Sequence, residues 1–168
     1  MFQIIILNLL LTLPILALAQ SPVHQVDGQC PTGYRPSGDF CTPISSGNGD
    51  EQQVVEKKGG SCPPGFQSSG PAHCKQMWNS DAEAVTKSGS TCPTGYRKSG
   101  DYCKPINAAT PAANYSIEKI GHSCPPGFMV SGDYCKRLSN STSEALPRQD
   151  GSQCPMGYRS TGDYCVKI

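Results

Sequence analysis

Twelve residues in the middle of the chain read CPTGYRKSGDYC, from Cys92 to Cys103. Related segments occupy residues 30–41, 62–74, 124–135 and 154–165, and the first cysteines of successive copies lie 30 or 32 residues apart. Four of the five copies end in Gly-Asp-aromatic-Cys, whereas the second ends in Ala72-His73-Cys74 and is one residue longer. Repetition at a nearly fixed period is typical of a chain that uses one small structural unit several times.

The turn-forming residues of each copy predict a β-hairpin. In Cys92-Pro93-Thr94-Gly95, proline at the second place and glycine at the fourth favour a β-turn. The remainder of the copy predicts a hairpin with a type I turn followed by a left-handed Gly100 in a bulge. This register would set Tyr96 opposite Tyr102 and Arg97 opposite Asp101, and it would bring Cys92 and Cys103 within the roughly 7 Å that a disulfide requires.

The ten cysteines predict disulfides, because an even number in an exported protein is typical of a disulfide framework. Closing a loop of about twelve residues removes about 3 kcal/mol of unfolded-state entropy, more than the roughly 0.2–1 kcal/mol of a cross-strand pair. We therefore predict bridges within each copy. The alternative is bridges that join neighbouring copies into larger domains. The predicted pairs are Cys30–Cys41, Cys62–Cys74, Cys92–Cys103, Cys124–Cys135 and Cys154–Cys165.

The amino-terminal segment predicts export. An apolar run from Ile4 to Leu18 ends in Ala17-Leu18-Ala19, and small residues at these places suit signal peptidase, so residues 1–19 are predicted to be a signal peptide. The run is short for a membrane span of about 20 residues, although an uncleaved anchor is the alternative. We predict a secreted protein, extracellular or periplasmic, with no membrane span after cleavage.

Between the copies lie four segments, 42–61, 75–91, 104–123 and 136–153, which are rich in Ser, Gly, Asn, Lys and Glu. They are interpreted as flexible linkers that do not resemble one another, with a brief helix at 80–85 and edge strands at 54–55 and 117–120. Aliphatic residues are too few for one large core. The predicted fold class is a small disulfide-rich repeat protein of five short disulfide-closed β-hairpin modules joined by flexible, largely irregular linkers.

The histidines, cysteines and aspartates of this sequence do not predict catalysis or metal binding. The histidines His24, His73 and His122 stand outside the repeat pattern at spacings that orient no nucleophile, so we predict that the chain is not an enzyme and has no cofactor. Structural zinc sites favour cysteines two to four residues apart, and one aspartate per copy is too few for calcium. The formal charge of +1 argues against nucleic acid as a partner, since phosphate binding needs a clustered basic surface.

The aromatic residues of the repeats are the predicted ligand contacts. A small hairpin cannot bury two rings fully, so we expect partly exposed rings that could stack on sugars, with avidity from repetition; the alternative is that each pair only covers its own disulfide. The two candidate glycosylation acceptors are Asn114 and Asn140. The candidate contact residues are Tyr34, Phe40, Tyr96, Tyr102, Phe128, Tyr134, Tyr158 and Tyr164.

The opening Cys-Pro-x-Gly-Tyr resembles a turn of extracellular cysteine-rich modules such as epidermal-growth-factor-like domains, but only over five residues per copy, so it implies no activity. We predict a secreted, non-catalytic, cysteine-rich repeat protein that acts as a multivalent binder or as a surface or matrix component. Its candidate partners are a carbohydrate or an extracellular protein. The alternative is a secreted effector, an inhibitor or an antimicrobial or signalling peptide precursor, for which Lys57-Lys58 and Lys136-Arg137 would be dibasic cleavage sites.

Overall fold

The computed structural model describes residues 21–44, 52–107, 115–149 and 151–168; the predicted signal peptide and Asn114 lie outside them. These residues form five three-stranded antiparallel sheets and contain no helix. Two strands of each sheet come from one repeat and form its hairpin, which confirms the predicted fold class of disulfide-closed hairpin modules. The third strand comes from the segment before that repeat. We number the sheets modules 1 to 5 along the chain.

Every sheet contains a linker strand, a first hairpin strand and a second hairpin strand, and the second hairpin strand lies in the centre. The linker strands are Val23–His24 (β1), Val54–Glu56 (β4), Val85–Thr86 (β7), Ser116–Glu118 (β10) and Ala145–Pro147 (β13). The first hairpin strands are Tyr34–Ser37 (β2), Phe66–Ser68 (β5), Tyr96–Ser99 (β8), Phe128–Ser131 (β11) and Tyr158–Thr161 (β14). The second hairpin strands are Phe40–Pro43 (β3), His73–Gln76 (β6), Tyr102–Pro105 (β9), Tyr134–Arg137 (β12) and Tyr164–Lys167 (β15).

All five disulfides join the two cysteines of one repeat, with Cα atoms 5.4 to 5.6 Å apart. The alternative of bridges between copies is therefore wrong. The second cysteine of each pair lies in the central strand and is fully buried. The pairs are Cys30–Cys41, Cys62–Cys74, Cys92–Cys103, Cys124–Cys135 and Cys154–Cys165.

The hairpin turn is tighter than predicted. Ser99 lies directly opposite Tyr102, so that only Gly100 and Asp101 form the loop. Gly100 has a φ of +63°, as the first central residue of a type II′ turn requires, and such a turn matches the twist of the strands it connects. The predicted type I turn with a bulge is wrong.

The shorter turn shifts the register of the two hairpin strands. Tyr96 lies opposite Pro105, and Arg97 lies opposite Lys104. The predicted aromatic pair of Tyr96 with Tyr102 is therefore wrong, as is the predicted Arg–Asp pair. The other regular modules share this register.

The linkers are more ordered and more alike than predicted. The strand expected at 54–55 is confirmed, and the one expected at 117–120 is confirmed only for Ile117 and Glu118. The helix at 80–85 is wrong, because those residues lead into β7. In every module one aliphatic residue of the linker strand lies opposite the second cysteine, seven residues before the first cysteine in modules 1 to 4 and eight in module 5. These residues are Val23, Val55, Val85, Ile117 and Leu146.

The modules pack against one another through the residue just before each second cysteine, which we call the wedge residue. The wedge residue of module 3, Tyr102, enters module 2. Its hydroxyl accepts a hydrogen bond from the backbone N of Lys58 (2.9 Å) and donates one to the carbonyl of Ser61 (2.9 Å). Its ring packs in a buried cluster with Val55 and Cys74 of module 2. The wedge residues are Phe40, His73, Tyr102, Tyr134 and Tyr164.

Modules 4 and 5 repeat this arrangement one step further along the chain. Tyr134 accepts a hydrogen bond from the backbone N of Ser88 in module 3 (2.7 Å) and contacts Cys103. Tyr164 accepts one from the backbone N of Ile120 in module 4 (2.7 Å). The three tyrosines thus fix three successive interfaces with the same geometry.

Module 2 joins module 1 by a different wedge residue. His73 is almost fully buried and its Nε2 donates to the carbonyl of His24 (2.9 Å). Ser69 Oγ accepts a second bond across this interface from the backbone N of Thr32 (3.0 Å).

The wedge residue of module 1 closes the set into a ring. Phe40 is fully buried in a cluster with Leu146 and Cys165 of module 5, and Ser21 Oγ donates to Glu144 of module 5 (3.4 Å). Modules 1 to 5 therefore contact one another cyclically, as do the blades of a β-propeller, where radial repetition leaves only short sheet edges. Independent modules on flexible linkers would lack these contacts.

The divergence of the second repeat has a physical reason in this ring. In modules 2, 3 and 4 a glycine three residues before the first cysteine faces the turn aspartate of the next module; a Cβ on Gly89 would lie 2.7 Å from Asp133 Oδ2. Module 1 has Asp27 at this place. The facing residue of module 2 is Ala72, which keeps two carboxylates apart at the one interface that lacks the glycine.

Candidate functional site

Neighbouring modules pack sheet against sheet. The two ends of the strands therefore lie on two opposite sides of the ring, which we call its faces. The turn face carries the Gly-Asp turns of the hairpins. The opposite face, which we call the Cys-Pro face, carries the Cys-Pro-x-Gly turns, because the residue after each second hairpin strand bonds back to the glycine of that turn, as Ile106 N does to the carbonyl of Gly95 (2.9 Å).

The predicted aromatic contact residues do not form an exposed binding surface. Seven of the eight are buried, and the other, Tyr158, is half-buried. Burial raises the pKa of Tyr34 to about 12 and also that of Tyr158 to about 12, where the neighbouring Glu144 adds to the effect. These rings lie within modules and between them, so the expectation of partly exposed rings is wrong.

A central cavity of about 790 Å³ opens between the linker strands on the side of the turn face. Four of the five modules contribute to its wall, which mixes carboxylates, an arginine and aliphatic side chains. A second cavity of about 350 Å³ adjoins it at the interface of modules 1 and 2. The central cavity is lined by His24, Gln25, Val26, Asp27, Gly28, Asp39, Glu56, Glu118, Ile120, Pro147, Arg148 and Gln149.

Few of the charged groups in this cavity wall are free for a ligand. Glu56 pairs with Lys58 (2.7 Å), and Glu118 accepts a hydrogen bond from Ser88 (2.7 Å). Arg148 donates to the backbone carbonyl of Gly162 (3.0 Å). These three groups therefore already have protein partners, and the remaining wall residues include Asp27, Asp39 and His24.

His24 predicts a pH dependence of the ring. Burial lowers its pKa from 6.5, and the backbone of Pro147 and the carboxylates of Glu56, Glu118 and Asp39 oppose this only in part. The unfolded chain therefore takes up the proton at a higher pH than the folded chain does. As a result, the free energy of unfolding should be constant well above pH 6.5 and should fall as the pH drops below this value. Urea unfolding at several pH values measures this.

The matched variant is His24→Gln, which removes the titration. It is expected to be less stable at neutral pH, because His24 packs on Phe40 with ring centroids 4.6 Å apart, but its stability should change less between neutral and mildly acidic pH. An equally steep pH dependence in both proteins would contradict this assignment to His24.

The Cys-Pro face repeats one exposed apolar side chain in every module. It stands three residues after the second cysteine, directly after the end of the central strand. Sequence reasoning missed this position, although a large apolar residue recurs there in all five copies. The residues are Ile44, Met77, Ile106, Leu138 and Ile168.

The described residues give no support to other kinds of site. Nowhere in them do three His, Cys, Asp or Glu side chains come together as a metal ion would require. Likewise, no helix in these ranges has the length and apolar character to cross a membrane. Asn140, the described glycosylation candidate, is exposed.

The candidate surfaces are thus the half-open central cavity and the repeated apolar positions of the Cys-Pro face. Of these two, the Cys-Pro face follows the fivefold repetition of the sequence, whereas the cavity wall differs from module to module. Comparison with protein-family models, with curated proteins and with solved structures finds no match to this chain.

Proposed function

We propose that this chain is an exported, non-catalytic binding protein that presents one surface position five times on a disulfide-closed ring. The observation that carries the proposal is the exposed aliphatic residue at the same place in each module, from Ile44 in the first to Ile168 in the last. Exposed large apolar side chains that recur at equivalent positions are typical of interaction surfaces. The disulfides suit an oxidising compartment outside the cytosol.

The ring favours multivalent binding. Wedge contacts such as those of Tyr134 hold neighbouring modules in fixed relative positions, so that binding at one module need not order the others. Rigid presentation lowers the entropy lost on association, and linked sites raise the effective concentration of each further contact. Five weak positions can then act as one strong surface.

The peptide-precursor alternative has less support. Lys136 and Arg137 lie in β12, which pairs with a strand on both sides. Proteases cleave exposed, extended segments that can leave their surroundings. Cleavage here would require the central strand of module 4 to detach from its sheet.

Binding to immobilised extracellular ligands at graded densities tests the proposal. Single substitutions Ile44→Ser, Ile106→Ser and Ile168→Ser should each weaken binding to a partial and similar degree, and the affinity of the unaltered protein should rise steeply with ligand density. A complete loss from one substitution, or an affinity independent of density, would show a single site and contradict the proposal.

A further inference from the structure

The large apolar side chains that are exposed in the described residues are concentrated on one face. Seven of the nine belong to the Cys-Pro face, and the other two, Met129 and Val130, lie on β11. Trp78, the single tryptophan of the chain, is among the seven with 62% of its surface exposed. The seven are Ile44, Met77, Trp78, Ile106, Leu138, Met156 and Ile168.

Cationic side chains accompany them at this end of the sheets. Lys104 Nζ donates to the carbonyl of Pro64 (3.1 Å) and Lys136 Nζ donates to that of Thr94 (3.0 Å). Both acceptors belong to Cys-Pro-x-Gly turns, so these ammonium groups lie at the Cys-Pro face. Each keeps further N–H donors for an anion, because an ammonium has three.

Acidic groups are concentrated at the other end. The turn aspartates Asp39, Asp101, Asp133 and Asp163 all belong to the turn face. At the end that carries the Cys-Pro face, Glu144 is bound by Lys167 (2.8 Å), burial raises the pKa of Glu83, and Asp81 is exposed beside the turn that contains Gly65. The Cys-Pro face therefore combines apolar and cationic side chains with fewer carboxylates than the turn face.

The apolar and cationic side chains of the Cys-Pro face fit some kinds of binding partner better than others. Two copies meeting through their Cys-Pro faces would bring like charges such as Lys104 and Lys136 together. Stacking of the Cys-Pro face on another copy's turn face would offer the apolar side chains a charged surface, with Lys87 and Arg148 beside the turn aspartates, that exposes no large apolar residue of the described set. A protein partner favours anchors clustered at one place, whereas these seven are spread over all five modules of the ring.

We infer that the Cys-Pro face docks on an anionic lipid surface, with the apolar side chains entering the headgroup region and the lysines contacting lipid phosphates. Peripheral binding of this kind grows with the buried apolar area and with attraction to anionic lipids. Tryptophan is favoured at the membrane–water interface, which suits the exposed Trp78. The inference rests on the proposed function and names the ligand of the same repeated position.

Co-sedimentation of the mature protein with vesicles tests this inference, and Trp78 supplies a direct signal. Mixed phosphatidylcholine and phosphatidylglycerol vesicles should bind the protein and shift the Trp78 emission to shorter wavelength, and pure phosphatidylcholine vesicles should bind it much more weakly. High salt should weaken binding. At constant ionic strength, an excess of inorganic phosphate should not release the protein, since a free phosphate site would lack the apolar contribution.

The matched variants carry two aspartates each. Ile44→Asp with Ile106→Asp alters side chains that are 63% and 60% exposed on the Cys-Pro face, and Val130→Asp with Ser160→Asp alters two exposed side chains of β11 and β14 that lie opposite second cysteines. The first pair should lose at least about tenfold in vesicle affinity, because each aspartate removes an apolar anchor and adds repulsion from anionic lipid. The second pair should bind like the unaltered protein.

Absence of vesicle binding, an unshifted Trp78 emission, equal binding to neutral vesicles or an equal loss in both variants would each overturn the inference. Density-dependent binding to a different ligand, with the partial losses described above for Ile44 and Ile106, would leave the proposed function intact while removing lipid as its ligand. Unchanged urea midpoints confirm that both variants fold.

Discussion

Phe40→Ala is expected to remove about 3–5 kcal/mol of stability, the usual cost of truncating a buried phenylalanine. Phe40 is fully buried against Leu146 and Cys165, although more than a hundred residues separate it from them in the sequence. A loss of this size is a large part of the 5–15 kcal/mol that folded domains typically have. Urea unfolding, with limited proteolysis to detect separation of modules 1 and 5, measures it.

Two variants control this prediction. Phe40→Tyr should be tolerated, because tyrosine is the wedge residue of three other modules. Met129→Ala should change stability by no more than about 0.5 kcal/mol, as is usual for surface positions, because Met129 is exposed. If Phe40→Ala were as mild as Met129→Ala, modules 1 and 5 would not be in contact.

Removal of one disulfide has the second large expected effect. The double variant Cys92→Ser with Cys103→Ser opens a loop with a sequence separation of 11 and should lose about 3 kcal/mol through unfolded-state entropy alone. The loss should be greater than this, since Cys103 is fully buried beside the Tyr134 hydroxyl, so the change also disturbs the interface with module 4. The shift of the urea midpoint at constant slope measures it.

The comparison for this variant is the unaltered protein under strong reducing conditions, which opens all five bridges and should unfold the whole ring. The modules have few aliphatic residues to hold them without sulfur links. A reduced protein that kept its β-sheet circular dichroism, or a Cys92 and Cys103 variant of unchanged stability, would show that packing and not the disulfides holds the modules.

The modules themselves are predictable from local sequence. Proline and glycine in Cys-Pro-x-Gly and glycine before Asp101 have conformational preferences that act over a few residues, and they suffice to form a hairpin that brings Cys92 to Cys103. The exact register was not predictable with the same certainty, because a two-residue loop and a bulged loop both accept glycine at position 100.

Three of the five linker strands, β1, β7 and β13, escaped prediction because each contains only two or three residues, too few for an alternating pattern to be recognised. A weaker signal was present in the chain. An aliphatic residue precedes the first cysteine by seven residues in four modules, and in three of these, after Val55, Val85 and Ile117, a lysine follows two residues later. Aligning the copies on their first cysteines, with the preceding segment included, would have found it.

The ring and its exposed face escaped prediction for a different reason. A hairpin considered alone cannot bury Tyr102 or Tyr134, so these residues are expected to be exposed unless the neighbouring module is taken into account. No pattern in the residues near Phe40 indicates that it packs against module 5. Once the neighbours bury the aromatic rings, the exposed apolar residues that recur are those that follow each second cysteine, and these form the surface proposed to bind.

Small-angle X-ray scattering of the oxidised protein, prepared without residues 1–19, tests the ring most directly. A compact chain of this length has a radius of gyration of about 15 Å, and an unfolded one has about 40 Å. The ring predicts a value near the compact one, with a single narrow distribution of interatomic distances. Five independent modules on flexible segments would give a clearly larger radius and a distribution with a long tail, and that result would contradict the closed ring.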